Sequence, residues 1–344
     1  MKKSLIALAA LAASGFVMAQ SSVTMFGIVD TGLAHVSTSG QSSTGLLHSG
    51  NSTSRLGFRG VEDLGGGLKA GFWLEGAIQP DTGGGAGGGA VGPGFEFKRR
   101  STVQLSGNFG EVRLGRELTA GYTGVSGYDV FGQVGLAAIQ GMSSSAGSRV
   151  SNGVSYLTPG NLGGFSAMAH YGFGESTVSN STNRYVGLNV GYNNGPLSIG
   201  ASYDKQNGAP ASTYRKHAAV GASYNFGVVK PSALYLRSST DNNVGEYAIW
   251  ALGVTAPVGP GKIAASYTRY DQKGTNADSN AFAVGYVYDL SKRTAVYGTI
   301  ARMQNKNGAA MNLSGAGGAG GIGAPVAAAG RNVTGYQVGV RHNF

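Results

Sequence analysis

The stretch SRLGFRG carries two arginines, Arg55 and Arg59, four positions apart. In an extended chain successive side chains point to opposite faces, so Arg55, Gly57 and Arg59 share one face and Leu56 and Phe58 the other. Cations aligned on one face attract anions and repel cations, and they need no reacting partner to do so. Catalysis asks for more. A nucleophile needs a base within reach and a group that orients the base. None of the five histidines (His35, His48, His170, His217 and His342) sits in a motif with a fixed acid or serine partner. The stretch FGESTVS lacks the Gly-x-Ser-x-Gly spacing of a nucleophile elbow. Cysteine is absent and no histidine cluster suggests a metal site. The glycine runs lack the Gly-Lys-Ser/Thr of a phosphate loop. The basic residues are scattered rather than gathered on one face, so nucleic-acid binding has no support. The reading is a non-catalytic protein that needs no cofactor and works through placed charge.

The elements that must place those charges are strands. LKAGFWLEGA sets Leu68, Ala70, Phe72 and Leu74 opposite Lys69, Gly71, Trp73 and Glu75. RYVGLNVGYNNGPLSIGASYDK reads as two alternating strands joined at Asn193-Asn194-Gly195, a turn signal. AVGASYNFGVVKPSALYLRS repeats the device at Asn225-Phe226-Gly227, and AFAVGYVYDLSKRTAVYGTIARM does so at Asp289 to Lys292. The final residues, GYQVGVRHNF, alternate up to Phe344. There are roughly sixteen such elements along the chain. An even number of antiparallel strands brings the first beside the last, and pairing them removes both sheet edges. The expected fold is all-β, a sixteen-stranded antiparallel barrel.

The first residues, MKKSLIALAALAASGFVMAQ, combine two lysines, a short apolar run and Val17-Met18-Ala19 before Gln20. This is the pattern of a secretory signal peptide over 1–19, cut after Ala19. The apolar core is too short for a membrane anchor. Its removal takes away two lysines and no acid, so the formal charge of 20–344 is +10 − 2 = +8. With 61 glycines in 344 residues and no three-residue period, the chain is rich in turns but is not collagen.

Alternation alone does not separate a membrane barrel from a soluble sandwich. Strand length does. Many of these strands run to about nine to twelve residues, enough to cross a hydrocarbon layer on a tilt. Aromatic residues fall near strand ends (Phe26, Tyr122, Tyr171, Tyr192, Tyr203, Tyr224, Tyr235, Tyr270, Tyr286 and Tyr288), as interfacial girdles require. The other face carries Arg, Lys, Glu, Gln, Ser and Gly, suited to a wet lumen. Connections alternate between very short and long, as periplasmic turns and external loops do. Gly83 to Gly94 and Leu313 to Gly330 read as glycine- and alanine-rich external loops. The segment from Ala120 to Arg149 differs, because Tyr122, Tyr128, Val130, Phe131, Leu136 and Ile139 are too apolar for water. It reads as a loop packed on the inner wall, in preference to extra strands or a subunit contact.

Six stretches in order carry a resemblance to a known family: SSVTMFGIVDTGL, SRLGFRGVEDLGGGLKAGFWLE, STVQLSGNFGEVRLGRE, GVSYLTPGNLGGFSAMAHYGFGE, YDLSKRTAVYG and YQVGVRHNF. They resemble the trimeric general porins of beta-proteobacterial outer membranes, including neisserial porins and anion-selective porins of Comamonas. The resemblance implies a homotrimer of sixteen-stranded barrels in the Gram-negative outer membrane. Each would hold a water-filled pore narrowed by an inward-folded third external loop. It implies that Phe344 is the signal read by the outer-membrane assembly machinery. It also implies constriction arginines at Arg55, at an arginine of FKRRS, and at Arg149. The motif aligns the middle one with Arg99, whereas alternation back from Val103 and Leu105 puts Lys98 and Arg100 in the lumen, so both readings stay open. Glu75 and Asp129 match the facing acids. The glycine- and alanine-rich outer loops depart from the family pattern.

The expected function is passive diffusion of small hydrophilic solutes, with a preference for small anions. A substrate-specific channel or an adhesin is the alternative. The first favours an aromatic track, for which internal Trp73 and Tyr128 are the candidates, and the second favours structured outer loops.

Overall fold

The computed structural model describes residues 22–86, 94–140, 147–241, 246–314, 322, 325 and 327–344. The signal-peptide reading of 1–19 lies outside the described residues, as do parts of both glycine-rich loops.

The chain opens with β1 (Ser22–Thr38), β2 (Gln41–His48), β3 (Arg55–Gly65), β4 (Leu68–Gln79) and the three-residue β5 (Gly84–Ala86). Next come β6 (Arg100–Gly107), β7 (Gly110–Leu118), the short helix α1 (Ala120–Thr123), β8 (Arg149–Leu157) and β9 (Phe165–Gly172). The second half is β10 (Tyr185–Asn194), β11 (Leu197–Asn207), β12 (Tyr214–Tyr224), β13 (Lys230–Thr240) and β14 (Tyr247–Val258). It finishes with β15 (Gly261–Gln272), β16 (Ser279–Asp289), β17 (Thr294–Asn305) and β18 (Val333–Asn343). All pairings are antiparallel between neighbours. β2 and β5 are additions to a wall of sixteen strands.

The wall closes on itself at β1. Ser22 to Ile28 pair with β3, and Thr31 to Thr38 pair with β2, so the other edge of β1 remains available. β18 takes that edge, from Ile28 opposite Asn343 to Ser37 opposite Thr334. Just past the end of β18, Phe344 exchanges two backbone hydrogen bonds of 3.1 Å with Gly27 of β1.

Period-2 alternation decides which side chains meet solvent or lipid. On β18, Tyr336, Val338 and Val340 are exposed outward, while Gln337 is buried inside. The same split runs through β10, where Val186, Leu188 and Val190 face out. Short connections such as 225–229 and 259–260 gather at the end of the barrel that holds Phe344. At the β10–β11 turn, Gly195 adopts φ +54°, a left-handed conformation that glycine enters without a Cβ clash.

Three residues read as girdle aromatics do not hold that place. Phe26 lies beside Arg59, Tyr122 sits in α1, and Tyr270 is buried. Position near a strand end does not fix which face of the wall a side chain takes.

The connection 119–148 leaves β7 through α1, where the Thr119 hydroxyl accepts the Tyr122 N–H at 3.3 Å. Tyr128, Leu136 and Ile139 join a buried apolar cluster with Val36, Leu234, Leu236, Ile249 and Met303. Polar contacts fix the same segment. The Tyr128 hydroxyl is 3.2 Å from Ser198 Oγ, and Ser232 Oγ donates to the Tyr128 carbonyl at 3.1 Å. The Leu136 N–H meets Gln337 Oε1 at 3.1 Å, and the Gln140 N–H meets the Tyr270 hydroxyl at 2.9 Å. Close approach depends on glycine. A Cβ at Gly221 would lie 2.2 Å from Tyr128 Cδ2, and one at Gly253 would lie 2.6 Å from Val130 Cγ1.

Candidate functional site

Glu75 is the centre of the charged cluster. It lies on β4, with its Cα opposite Gly57 of β3 and Arg100 of β6. Its carboxylate is buried, and each oxygen is used. Oε1 accepts Arg99 Nε–H at 2.6 Å and lies 3.5 Å from Arg55 Nη1. Oε2 accepts the Trp73 indole N–H at 3.1 Å. The indole is in turn flanked by two guanidinium groups, Arg59 at 5.1 Å and Arg100 at 4.6 Å from the ring centre. Contacts of this kind hold a cation in place without neutralising it.

The remaining arginines are held by their neighbours. Arg55 Nε donates to the Thr53 carbonyl at 3.1 Å, and Arg100 donates to Thr102 Oγ1 and Gln104 Oε1, both at 3.0 Å. Arg149 Nε donates to the Arg99 carbonyl at 2.7 Å, which ties the start of β8 to the residue before β6. Arg113 bridges Glu111 at 2.7 Å and Glu117 at 2.9 Å. Glu117 also accepts the Ser155 hydroxyl.

Most of these charged groups, though not Arg59 or Glu111, line one cavity of about 400 Å³. Five arginines (Arg55, Arg99, Arg100, Arg113 and Arg149) meet two glutamates (Glu75 and Glu117) there, an excess of three positive charges. Thr123, next to Gly124 at the end of α1, also reaches this cavity.

The sequence left Arg99 and Arg100 as alternatives, and both line the cavity. Strand geometry begins only at Arg100, so alternation does not extend back through 98 and 99. Arg99 N–H instead donates to the Glu75 carbonyl at 3.0 Å, which turns its side chain to the same carboxylate. Lys98 is not among the cavity residues and pairs with Glu96. Asp129 does not face the arginines through its carboxylate either. Its oxygens accept the N–H groups of Phe131 at 2.9 Å, Ile139 at 3.1 Å and Gln133 at 3.2 Å, together with the Gln133 side-chain amide. Burial pushes the Asp129 carboxyl above the usual carboxylate range, against the pull of those donors. Burial likewise raises the pKa of the Tyr122 phenol, while Arg149 and Arg99 lower it.

Arg113 and Glu117 were missed. Their signal was present in GEVRLGREL, where Glu111 and Arg113 share a face, but a bulge between Gly115 and Glu117 interrupts the alternation.

The family described as Gram-negative porin matches residues 5–308, most of the chain. The chain belongs to that family. This porin is 47% identical over 363 residues to outer membrane porin protein 32 of Delftia acidovorans, covering 100% of both chains. An outer membrane porin of Bordetella pertussis is 31% identical over 366 residues, covering 86% of this porin and 93% of that one. The solved anion-selective porin from Comamonas acidovorans superposes with a TM-score of 0.84 at 45% identity, covering 94% of this porin and 100% of that chain. The porin is a non-catalytic channel of the Gram-negative outer membrane.

Proposed function

We propose that this porin lets small hydrophilic solutes diffuse passively across the outer membrane and favours anions. The observation that carries the preference is the five-to-two excess of arginine over glutamate around one cavity. Fixed positive charge in a narrow water-filled passage raises the local concentration of anions and repels cations. The likeness to an anion-selective porin supports the same sign. In this reading Arg55, Arg99, Arg100 and Arg149 form the positive side of the constriction and Glu75 fixes their positions. Asp129 holds the loop rather than facing them, and Lys98 stands outside.

The segment 119–148 is the inward-folded third external loop. Its hydrogen bonds to Ser198, Ser232, Tyr270 and Gln337 support that assignment. Residues 1–19 are the export signal and 20–344 the barrel. Three barrels associate as a homotrimer, a reading supported by the family resemblance and by the exposed apolar Val23, Met25 and Leu33 of β1.

A reversal-potential measurement across a salt gradient tests the function. The native protein is expected to prefer anions. Arg55→Gln is expected to lower that preference without stopping flow, by an amount that shrinks at high salt as screening shortens the field. A cation-preferring native channel overturns the electrostatic reading, and absence of conductance overturns the diffusion reading.

A further inference from the structure

A second set of cations lines a neighbouring cavity towards the short-turn end, next to the arginine cluster: Arg55 donates to Ser52 Oγ at 3.3 Å, and Ser52 lines this second cavity. Lys230 is the first residue of β13, Lys262 the second of β15, and Arg341 lies near the end of β18. Alternation places them on the faces that carry buried Ser232, Ala264 and Gln337, which are inner faces. All three line a cavity of about 370 Å³, roofed by residues of the 126–132 stretch.

Their surroundings leave positive charge over. Arg341 donates to Asn51 Oδ1 at 2.7 Å and lies 3.7 Å from the half-exposed Asp289. Among the described residues, neither Lys230 nor Lys262 has a carboxylate within ion-pair distance. Asp129 also borders the cavity, but its oxygens are engaged by its own segment. Strand register brings the two lysines towards each other. Lys230 is opposite Thr255 on β14, and Lys262 is opposite Pro257, two residues further along the same strand. One strand and a two-residue offset therefore separate them, so their backbones lie roughly 12 Å apart, within the span of two long side chains converging on one small ligand. Thr255 and Thr299, each carrying a hydroxyl, line the same space. Ammonium and guanidinium groups beside hydroxyl donors match the acceptor-only oxygens of a multivalent oxyanion.

We propose that this cavity is a second anion-binding station, selective for small multivalent oxyanions over chloride. It rests on the anion-preferring reading of the pore and adds a place where a permeating oxyanion pauses between the arginine cluster and the short-turn mouth. Lys230 and Lys262 are its principal ligands.

The test is chloride conductance of the purified channel in planar bilayers as inorganic phosphate is added on both sides. The native channel is expected to lose chloride current at low phosphate. Lys230→Gln/Lys262→Gln should need at least about threefold more phosphate for the same loss, since removing two cations weakens a charge-assisted site. Lys230→Arg/Lys262→Arg keeps the charge and should keep the native response, which separates lost binding from a damaged barrel. Lys205→Gln/Lys216→Gln removes equal charge outside the cavity and should also behave as native. The site is overturned if phosphate acts equally on native and Lys230→Gln/Lys262→Gln channels, or if the Lys205/Lys216 variant shows the same shift. Reversal potential in plain potassium chloride keeps the two proposals apart. A channel that prefers anions but shows no lysine-dependent phosphate effect sinks the station alone.

Discussion

Arg99 meets Glu75 twice: its N–H donates to the Glu75 carbonyl at 3.0 Å and its Nε to the Glu75 carboxylate at 2.6 Å. The residue is thereby fixed although no strand contains it. A carboxylate inside an arginine-rich cavity serves as an anchor here, and it also subtracts from the field that the arginines produce.

Glu75→Gln separates those two roles. One negative charge is lost while a polar side chain of the same length remains. Anion preference is expected to rise by roughly twofold to fivefold, because a unit charge about 4 Å away is worth ~1 kcal/mol in a water-like medium. Reversal potential in dilute salt reads it. A shift towards cations would mean that loosening of Arg55 and Arg99 outweighs the removed charge, so that anchoring, not subtraction from the field, is the dominant role of Glu75.

Gly221→Ala tests the seat of the 119–148 segment. The added methyl would stand 2.2 Å from the Tyr128 ring, so ring or wall must move. Forced overpacking of this kind costs about 1–3 kcal/mol. The variant is expected to show altered single-channel conductance and faster proteolytic cleavage within 119–148 in the folded barrel. If both stay at native values, the Tyr128 contact does not set the position of the segment.

Deleting Phe344 removes its pair of 3.1 Å hydrogen bonds with Gly27, together about 1–3 kcal/mol. It also uncovers Gly27, over which the aromatic ring lies. The outer-membrane fraction is expected to fall while total synthesis holds. Full insertion of the shortened chain would show that neither closure nor recognition depends on this residue.

The barrel was legible because alternation repeats in nearly every strand and each repeat agrees with its neighbours. Arg55 and Glu75 shared in that, since both lie within strands. Arg99 did not, because its direction follows from a backbone hydrogen bond to β4 rather than from any local period. Asp129 was named through the family resemblance, as an acid facing the arginines. Its partners, Phe131, Gln133 and Ile139, are close in sequence, but only the fold of the segment turns their N–H groups inward. Lys230 and Lys262 become neighbours only through the register of β14.

The seam between β1 and β18 behaves as a parity check on the chain. Arg341 faces inward and Val340 outward, opposite Asp30 and Thr31 in a fixed register. One residue inserted between Gln337 and Val340 would exchange the two faces beyond it, setting a guanidinium against hydrocarbon and a valine against water. Two inserted residues would restore the faces and only lengthen the strand. Changes of odd length in this last segment are therefore rejected by the membrane itself, while changes of even length pass, so drift in strand length at the seam should proceed in steps of two.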